Sequence, residues 1–252
     1  MQKIWVCGAR GQIGQAVNDV VDKLEFEMLD TDVDDLDVTD TDEVLRFGEM
    51  NRPDIIINCS GMTDISSCEE NPSQAFKVNA LGARNLAIVA AKMQAKMVQL
   101  STDDVFDGKS TEPYTEFDIT NPGTVYGKSK LAGENYVKEF TTKHFIVRST
   151  WVYGKGQNFI NGFLKKVDAG EQLSIASDQF GSPTSANELA RFLLHLVHTS
   201  EYGTYHATNK GVCSRYAFAQ EILKMTGKTA SMQPVPTVMS DFSKVRPAYA
   251  VL

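Results

Sequence analysis

Residues 3–14 read KIWVCGARGQIG: an apolar stretch, Lys3–Cys7, runs straight into glycines at positions 8, 11 and 14. Apolar residues then recur at helical spacing over Ile13–Val21, so the unit reads strand, glycine loop, helix. Each glycine has a task in that context. Gly8 allows the tight turn, Gly11 lets backbone approach a pyrophosphate, and Gly14 lets the helix pack closely on the strand. The helix start offers phosphate its unpaired N–H groups and the positive end of its dipole. The stretch predicts a dinucleotide-binding unit.

Outward from it, strand-like and helix-like segments alternate. Candidate strands are Phe26–Leu29, Asp54–Asn58 (DIIIN), Lys96–Leu100 and His144–Val147. Candidate helices are Glu43–Met50, the Ala-rich Pro72–Met93, and Tyr126–Phe140. The β-branched DIIIN run suits a strand buried on both faces. Such alternation implies right-handed crossovers and a parallel sheet, so the fold class is α/β, doubly wound, of the Rossmann kind. After Arg148 the pattern loosens: helices over Asn158–Asp168, Glu188–Val197 and Ser214–Met225, short strands at Leu173–Ile175 and Gly203–His206, a turn at Gly181–Pro183, and an extended tail holding Pro234, Pro236 and Pro247. The expected division is an NAD(P)-binding domain over 1–150, to which a helix and strand near 184–206 return. A smaller α/β substrate-binding lobe then takes 151–183 and 207–252.

Composition bounds the function. A net charge of −7 speaks against nucleic acid as the main partner, because phosphate binding needs a basic surface. The apolar runs are too short to span a membrane, and the opening residues lack the layout of a secretory leader. Cys7, Cys59, Cys68 and Cys213 have no metal-type spacing. A cytoplasmic chain without a metal site is expected.

Several side chains point to chemistry. Asp30, at the end of the second strand, can accept hydrogen bonds from an adenosine ribose, which favours NAD; Arg10 in the glycine loop can pair with the 2′-phosphate of NADP. NADPH or NADH therefore both remain. Asp37-Val38 lies where an adenine ring can rest. Tyr126 and Lys130 are spaced i, i+4 and share a helix face, and Thr102 sits just past the fourth strand, at the carboxyl edge where parallel sheets bind ligands. Reduction of a ketone by hydride leaves an alkoxide. A tyrosine can protonate it, a neighbouring ammonium can lower the tyrosine's pKa, and a threonine hydroxyl can hold the carbonyl in line.

GARGQIG (8–14), NCSGMT (58–63), STDDVFDG (101–108), TVYGKSKLAGEN (124–135), RSTWVYG (148–154) and DQFGSPTSANELA (178–190) occur in an order that resembles the dTDP-4-dehydrorhamnose reductase family of extended short-chain dehydrogenases. The resemblance runs from Met1 to Leu252. It implies NAD(P)H-dependent reduction of the 4-keto group of dTDP-4-dehydro-L-rhamnose to dTDP-L-rhamnose. By position it implies Thr102, Tyr126 and Lys130 as catalytic residues, and Gly8, Arg10, Gly11, Gln12 and Ile13 as the phosphate loop. It also implies Cys59, Ser60 and Gly61 along the cofactor, Thr63, Ile65 and Trp151 against the substrate, and Asn79 as a brace. The family often pairs, so a homodimer is compatible with it; a Mg²⁺ ion is compatible too, although no residue here argues for one.

The family pattern is broken in places. Asp104 stands where relatives place a substrate-side tyrosine, and Ser66 stands where they place an acid, while Asp64 directly follows Thr63. The sequence closes on RPAYAVL, where relatives continue through a further helix. Two other readings use the same residues. One is a sugar-nucleotide epimerase or dehydratase that keeps NAD bound. The other is a non-catalytic regulatory subunit resembling the methionine adenosyltransferase β subunit.

Overall fold

A computed structural model describes residues 1–240 and 246–252. The first half follows the alternation read from the sequence. Strand β1 (Gln2–Cys7), helix α1 (Gln12–Val20), β2 (Phe26–Thr31), α2 (Thr41–Asn51) and β3 (Ile55–Asn58) come first. Two short helices follow, α3 (Ile65–Glu70) and α4 (Pro72–Phe76), then a π-helical turn (Lys77–Gly82) and α5 (Ala83–Met93). Next are β4 (Lys96–Thr102), α6 (Val125–Phe140) and β5 (His144–Ser149).

The second half contributes β6 (Val152–Tyr153), α7 (Phe159–Asp168), β7 (Leu173–Ala176), β8 (Phe180–Gly181), β9 (Thr184–Ser185), α8 (Ala186–Val197) and β10 (Gly203–His206). It ends with β11 (Cys213–Ser214), α9 (Arg215–Thr226), β12 (Met232–Val235) and β13 (Tyr249–Ala250). The expected extended tail is partly strand; its stretch 241–245 lies outside the described residues.

Six strands form one all-parallel sheet in the order β10-β5-β4-β3-β1-β2. The Ile55–Ile57 run shows why the sheet carries helices on both faces. Ile55 and Ile57 point into the layer with α1 and α8, and Ile56 points into the layer with α2, α5 and α6. All three are fully buried, each contributing about 1.5–3 kcal/mol. The chain winds from β1 out to β2 and then restarts at β3 on the other side of β1. A crevice opens there, at the carboxyl ends of β1 and β3, where doubly wound sheets take ligands.

A second core, separate from the sheet, packs Phe163 of α7, Leu173 and Ile175 of β7, and Ala219 and Ile222 of α9. Strands β7 and β12 pair there in parallel, while β8 takes β11 on one side and β13 on the other. Among the described residues no helix is long and apolar enough to cross a membrane.

Candidate functional site

The glycine loop shows the close approaches that its spacing implies. Gly8 has φ +76°, and a Cβ there would lie 2.8 Å from the Ser60 amide nitrogen. A Cβ on Gly14 would lie 2.4 Å from the Gly8 carbonyl oxygen, so any side chain would push α1 off the loop. Gly11 caps α1 without a side chain, leaving the first amides of the helix to a ligand.

Beside the loop is a cleft of about 490 Å³. Of the residues singled out above, Gly8, Arg10, Gly11, Asp37, Val38, Cys59, Ser60 and Gly61 line it. This donor set and the glycine cradle fit a dinucleotide. Gln12 and Ile13 turn their side chains elsewhere: Gln12 bonds Val152 and Asn158 across to the second half, and Ile13 packs on the core.

Asp30 is exposed, outside the cleft lining, and its carboxylate takes Asn18 at 2.9 Å. Strand β2 runs on to Thr31, so the acid at the strand's end that reaches the cleft is Asp32, which accepts the Arg10 backbone N–H at 2.8 Å.

Thr102, Tyr126 and Lys130 are all buried, at 4%, 8% and 4% exposure. The start of α6 makes this arrangement. Thr124 caps the helix by accepting from the Gly127 amide at 2.9 Å, and a Cβ on Gly127 would lie 2.0 Å from the Asp104 carbonyl oxygen. The helix therefore seats against the turn after β4, which brings the Tyr126 side chain beside that of Thr102.

One turn beyond Lys130, Glu134 pins α6 to the sheet. It takes Arg148 of β5 through two bonds, 2.9 and 2.7 Å, and Ser101 of β4 at 2.5 Å. Asn79 of the π turn braces the opposite side, bonding Met62 through both its amide atoms and donating to Ser129 at 2.9 Å.

Burial controls the ionisation here. It raises the Tyr126 pKa, with the Asp104 charge adding to the rise and Arg246 and the nearby Thr102 hydroxyl opposing it. The Arg246 guanidinium lowers the phenol, a cation the sequence reading, which named Lys130, did not single out. Burial lowers Lys130 to about 8, against Glu134 and Cys59, and raises Cys59 to about 12, against Lys130.

Asp104 is enclosed, its carboxylate 3.6 Å from the Arg246 guanidinium. Asp103 beside it is also buried, and burial together with the Asp104 charge pushes its carboxyl up to about 7.

On the side facing the second core, Trp151 adopts φ +46°, and the Arg215 guanidinium lies 3.4 Å from its ring centroid. A Cβ on Gly181 would lie 2.5 Å from that indole, so the glycine makes room for it. Thr63 is exposed, and Ile65 packs with Cys68, Ala75 and Tyr126. Asp64 caps α3, accepting from the amide and hydroxyl of Ser67 at 2.8 and 2.6 Å, so the acid after Thr63 has a structural task. Among the described residues no cluster of His, Cys, Asp and Glu is suited to a metal.

Sequence reasoning missed Arg246, Arg215, Asp103 and the Glu134–Arg148 pair. The partners of Arg246 and Arg215 lie far away along the chain, whereas Asp103, Glu134 and Arg148 stand inside stretches already quoted.

A parallel, doubly wound sheet with a glycine cradle at its switch point defines the Rossmann class of dinucleotide-binding proteins. Within that class, the chain belongs to the RmlD substrate binding domain family, whose model matches residues 1–252. It is 35% identical to the spore coat polysaccharide biosynthesis protein SpsK of Bacillus subtilis, over 100% of this chain and 89% of SpsK. Among solved structures, a dTDP-4-dehydrorhamnose reductase from Clostridium acetobutylicum is 42% identical with a TM-score of 0.96, covering 100% of this chain and 90% of that one. The dTDP-4-dehydrorhamnose reductase of Bacillus anthracis, solved in complex with NADP, is 38% identical with a TM-score of 0.94, covering 100% and 89%.

Proposed function

We propose that this chain reduces the 4-keto group of dTDP-4-dehydro-L-rhamnose to dTDP-L-rhamnose, with NADPH or NADH as reductant. The observation that carries the reading is the burial of Thr102, Tyr126 and Lys130 together at the carboxyl edge of the sheet, in a chain whose full-length relatives are named as such reductases. The cleft residues Gly8, Gly11, Ser60 and Gly61 hold the cofactor, with Asp37-Val38 beside the adenine. When bound, the reduced nicotinamide supplies the hydride.

The protein's own groups do the rest. Thr102 orients the ketone oxygen. Tyr126, held protonated by burial, donates its proton to that oxygen as negative charge develops on it. The Lys130 ammonium places a positive charge near the tyrosine and hydrogen-bonds the ribose hydroxyls. Residues 151–183 and 207–252 form the sugar-nucleotide lobe in this reading, with Thr63, Ile65 and Trp151 toward the deoxysugar and its diphosphate. Arg246 neutralises Asp104 beneath the site.

Tyr126→Phe tests the assignment. It is expected to lower kcat by about 10²–10⁴-fold while leaving cofactor affinity, read by fluorescence titration, within about twofold. Turnover that survives the substitution would remove Tyr126 from the chemistry.

A further inference from the structure

The Thr102 hydroxyl has few hydrogen-bonding positions, and two are accounted for. A hydroxyl donates one hydrogen and accepts at two lone pairs. Oγ1 of Thr102 accepts the Asp104 backbone N–H at 3.2 Å and lies 3.0 Å from Oδ1 of Asp103. The amide holds one lone pair permanently, but the contact with Asp103 has two states. An ionised carboxylate only accepts, so the single hydrogen of Thr102 goes to Asp103 and none is left for a substrate. A protonated carboxyl donates to the second lone pair and releases that hydrogen toward Tyr126 and the substrate carbonyl.

We propose that Asp103 is a positioning residue for the reduction, whose bound proton turns the Thr102 hydroxyl toward the substrate carbonyl and whose loss turns it away. The inference rests on the reductase reading above.

The surroundings place the proton on this residue. Asp103 is buried, and its Oδ2 has no hydrogen-bond partner among the described residues, so a proton on Oδ1 is the one that gains a bond, the one to Thr102. Burial raises both neighbouring carboxyls, and the Arg246 guanidinium, 3.6 Å from the Asp104 carboxylate, favours the charged form of Asp104. That charge, after burial itself, favours the neutral form of Asp103, up to about pH 7. The other groups facing the pair are Tyr126 of α6, Arg246 and Arg215 of α9; the two arginines favour the ionised form and are outweighed. The proton stays on Asp103 through the cycle, and Tyr126 delivers the one that the product keeps.

The arrangement predicts opposite pH shifts in two variants, each profile normalised to its own maximum. In the unaltered enzyme kcat falls on the alkaline side with a midpoint near 7. Asp103→Asn donates to Thr102 at every pH, so its midpoint moves up by about one unit or more, to whatever limb the next group sets. Asp104→Asn removes the like charge, so its midpoint moves below that of the unaltered enzyme.

Infrared spectroscopy gives a readout without turnover. A protonated-carboxyl band is expected at about pH 6, lost by about pH 9 and missing in Asp103→Asn. Coincident midpoints in all three proteins, an upward shift in Asp104→Asn, or no such band at the lower pH would each overturn the proposal. If Asp103→Asn does not fold, Asp104→Asn and the infrared band decide. An unaltered enzyme that turns over no keto sugar at any pH would contradict the reductase reading instead, and the band would still report whether Asp103 holds a proton.

Discussion

Arg10 holds its guanidinium 3.2 Å from both Asp34 and Asp35 and 3.9 Å from Asp32. The pairs with Asp34 and Asp35 are exposed, each contributing at most about 1 kcal/mol, so the side chain is free to turn to a phosphate dianion. Arg10→Ala is therefore expected to raise the KM for NADPH about tenfold while leaving that for NADH within about twofold, as read from initial rates. An equal change for both cofactors would show that Arg10 does not read the 2′ position. The types and spacing of Thr102, Tyr126, Lys130 and the glycines were legible because each belongs to a local pattern. Arg246 was not: its partner Asp104 lies more than a hundred residues earlier, and only the fold brings the two to 3.6 Å. Asp30 illustrates a smaller slip. Two more strand residues than the apolar run suggested make Asp32 the strand-end acid that lines the cleft.

Among the elements, those with a long apolar period were readable and those defined by a partner were not. Strands β3 and β10 and the helices α6 and α8 fall within a residue or two of their sequence reading. The run Pro72–Met93 looked like one helix because its periodicity continues, yet a π turn at Lys77–Gly82 interrupts it. That turn lets Asn79 reach both Met62 and Ser129, and a Cβ on Gly133 of α6 would lie 2.3 Å from the Asn79 carbonyl oxygen. The two-residue strands β6, β8, β9, β11 and β13 exist only as pairings between distant segments. Helix α3 is six residues long and is held by its Asp64 cap. Asp64→Ala is expected to cost about 1 kcal/mol, seen as a lower urea midpoint with an unchanged slope. A midpoint that does not move would mean the cap is replaced by water at no cost.

For the molecule as a whole, the doubly wound class was legible from strand–helix alternation, and the second core was visible only as scattered short segments. What the fold adds is burial of charge beside the site, and this has a consequence for stability. Between the ordinary 3.8 of a carboxyl and about 7, the folded chain keeps a proton on Asp103 that the unfolded chain has released. Stability therefore falls as pH rises through that window. In Asp103→Asn this contribution is gone, so the unfolding free energy, measured with urea at several pH values, is expected to fall less steeply than in the unaltered protein. Parallel pH dependences in the two proteins would show that Asp103 titrates normally.

The most direct test of the proposed reaction is the rate of loss of reduced-nicotinamide absorbance when the protein is given dTDP-4-dehydro-L-rhamnose, with NADPH and NADH in separate runs and the UDP sugar as the control. Consumption of cofactor matched mole for mole by dTDP-L-rhamnose is the expected result. Folded protein that binds the cofactor and consumes none with the dTDP sugar would contradict it.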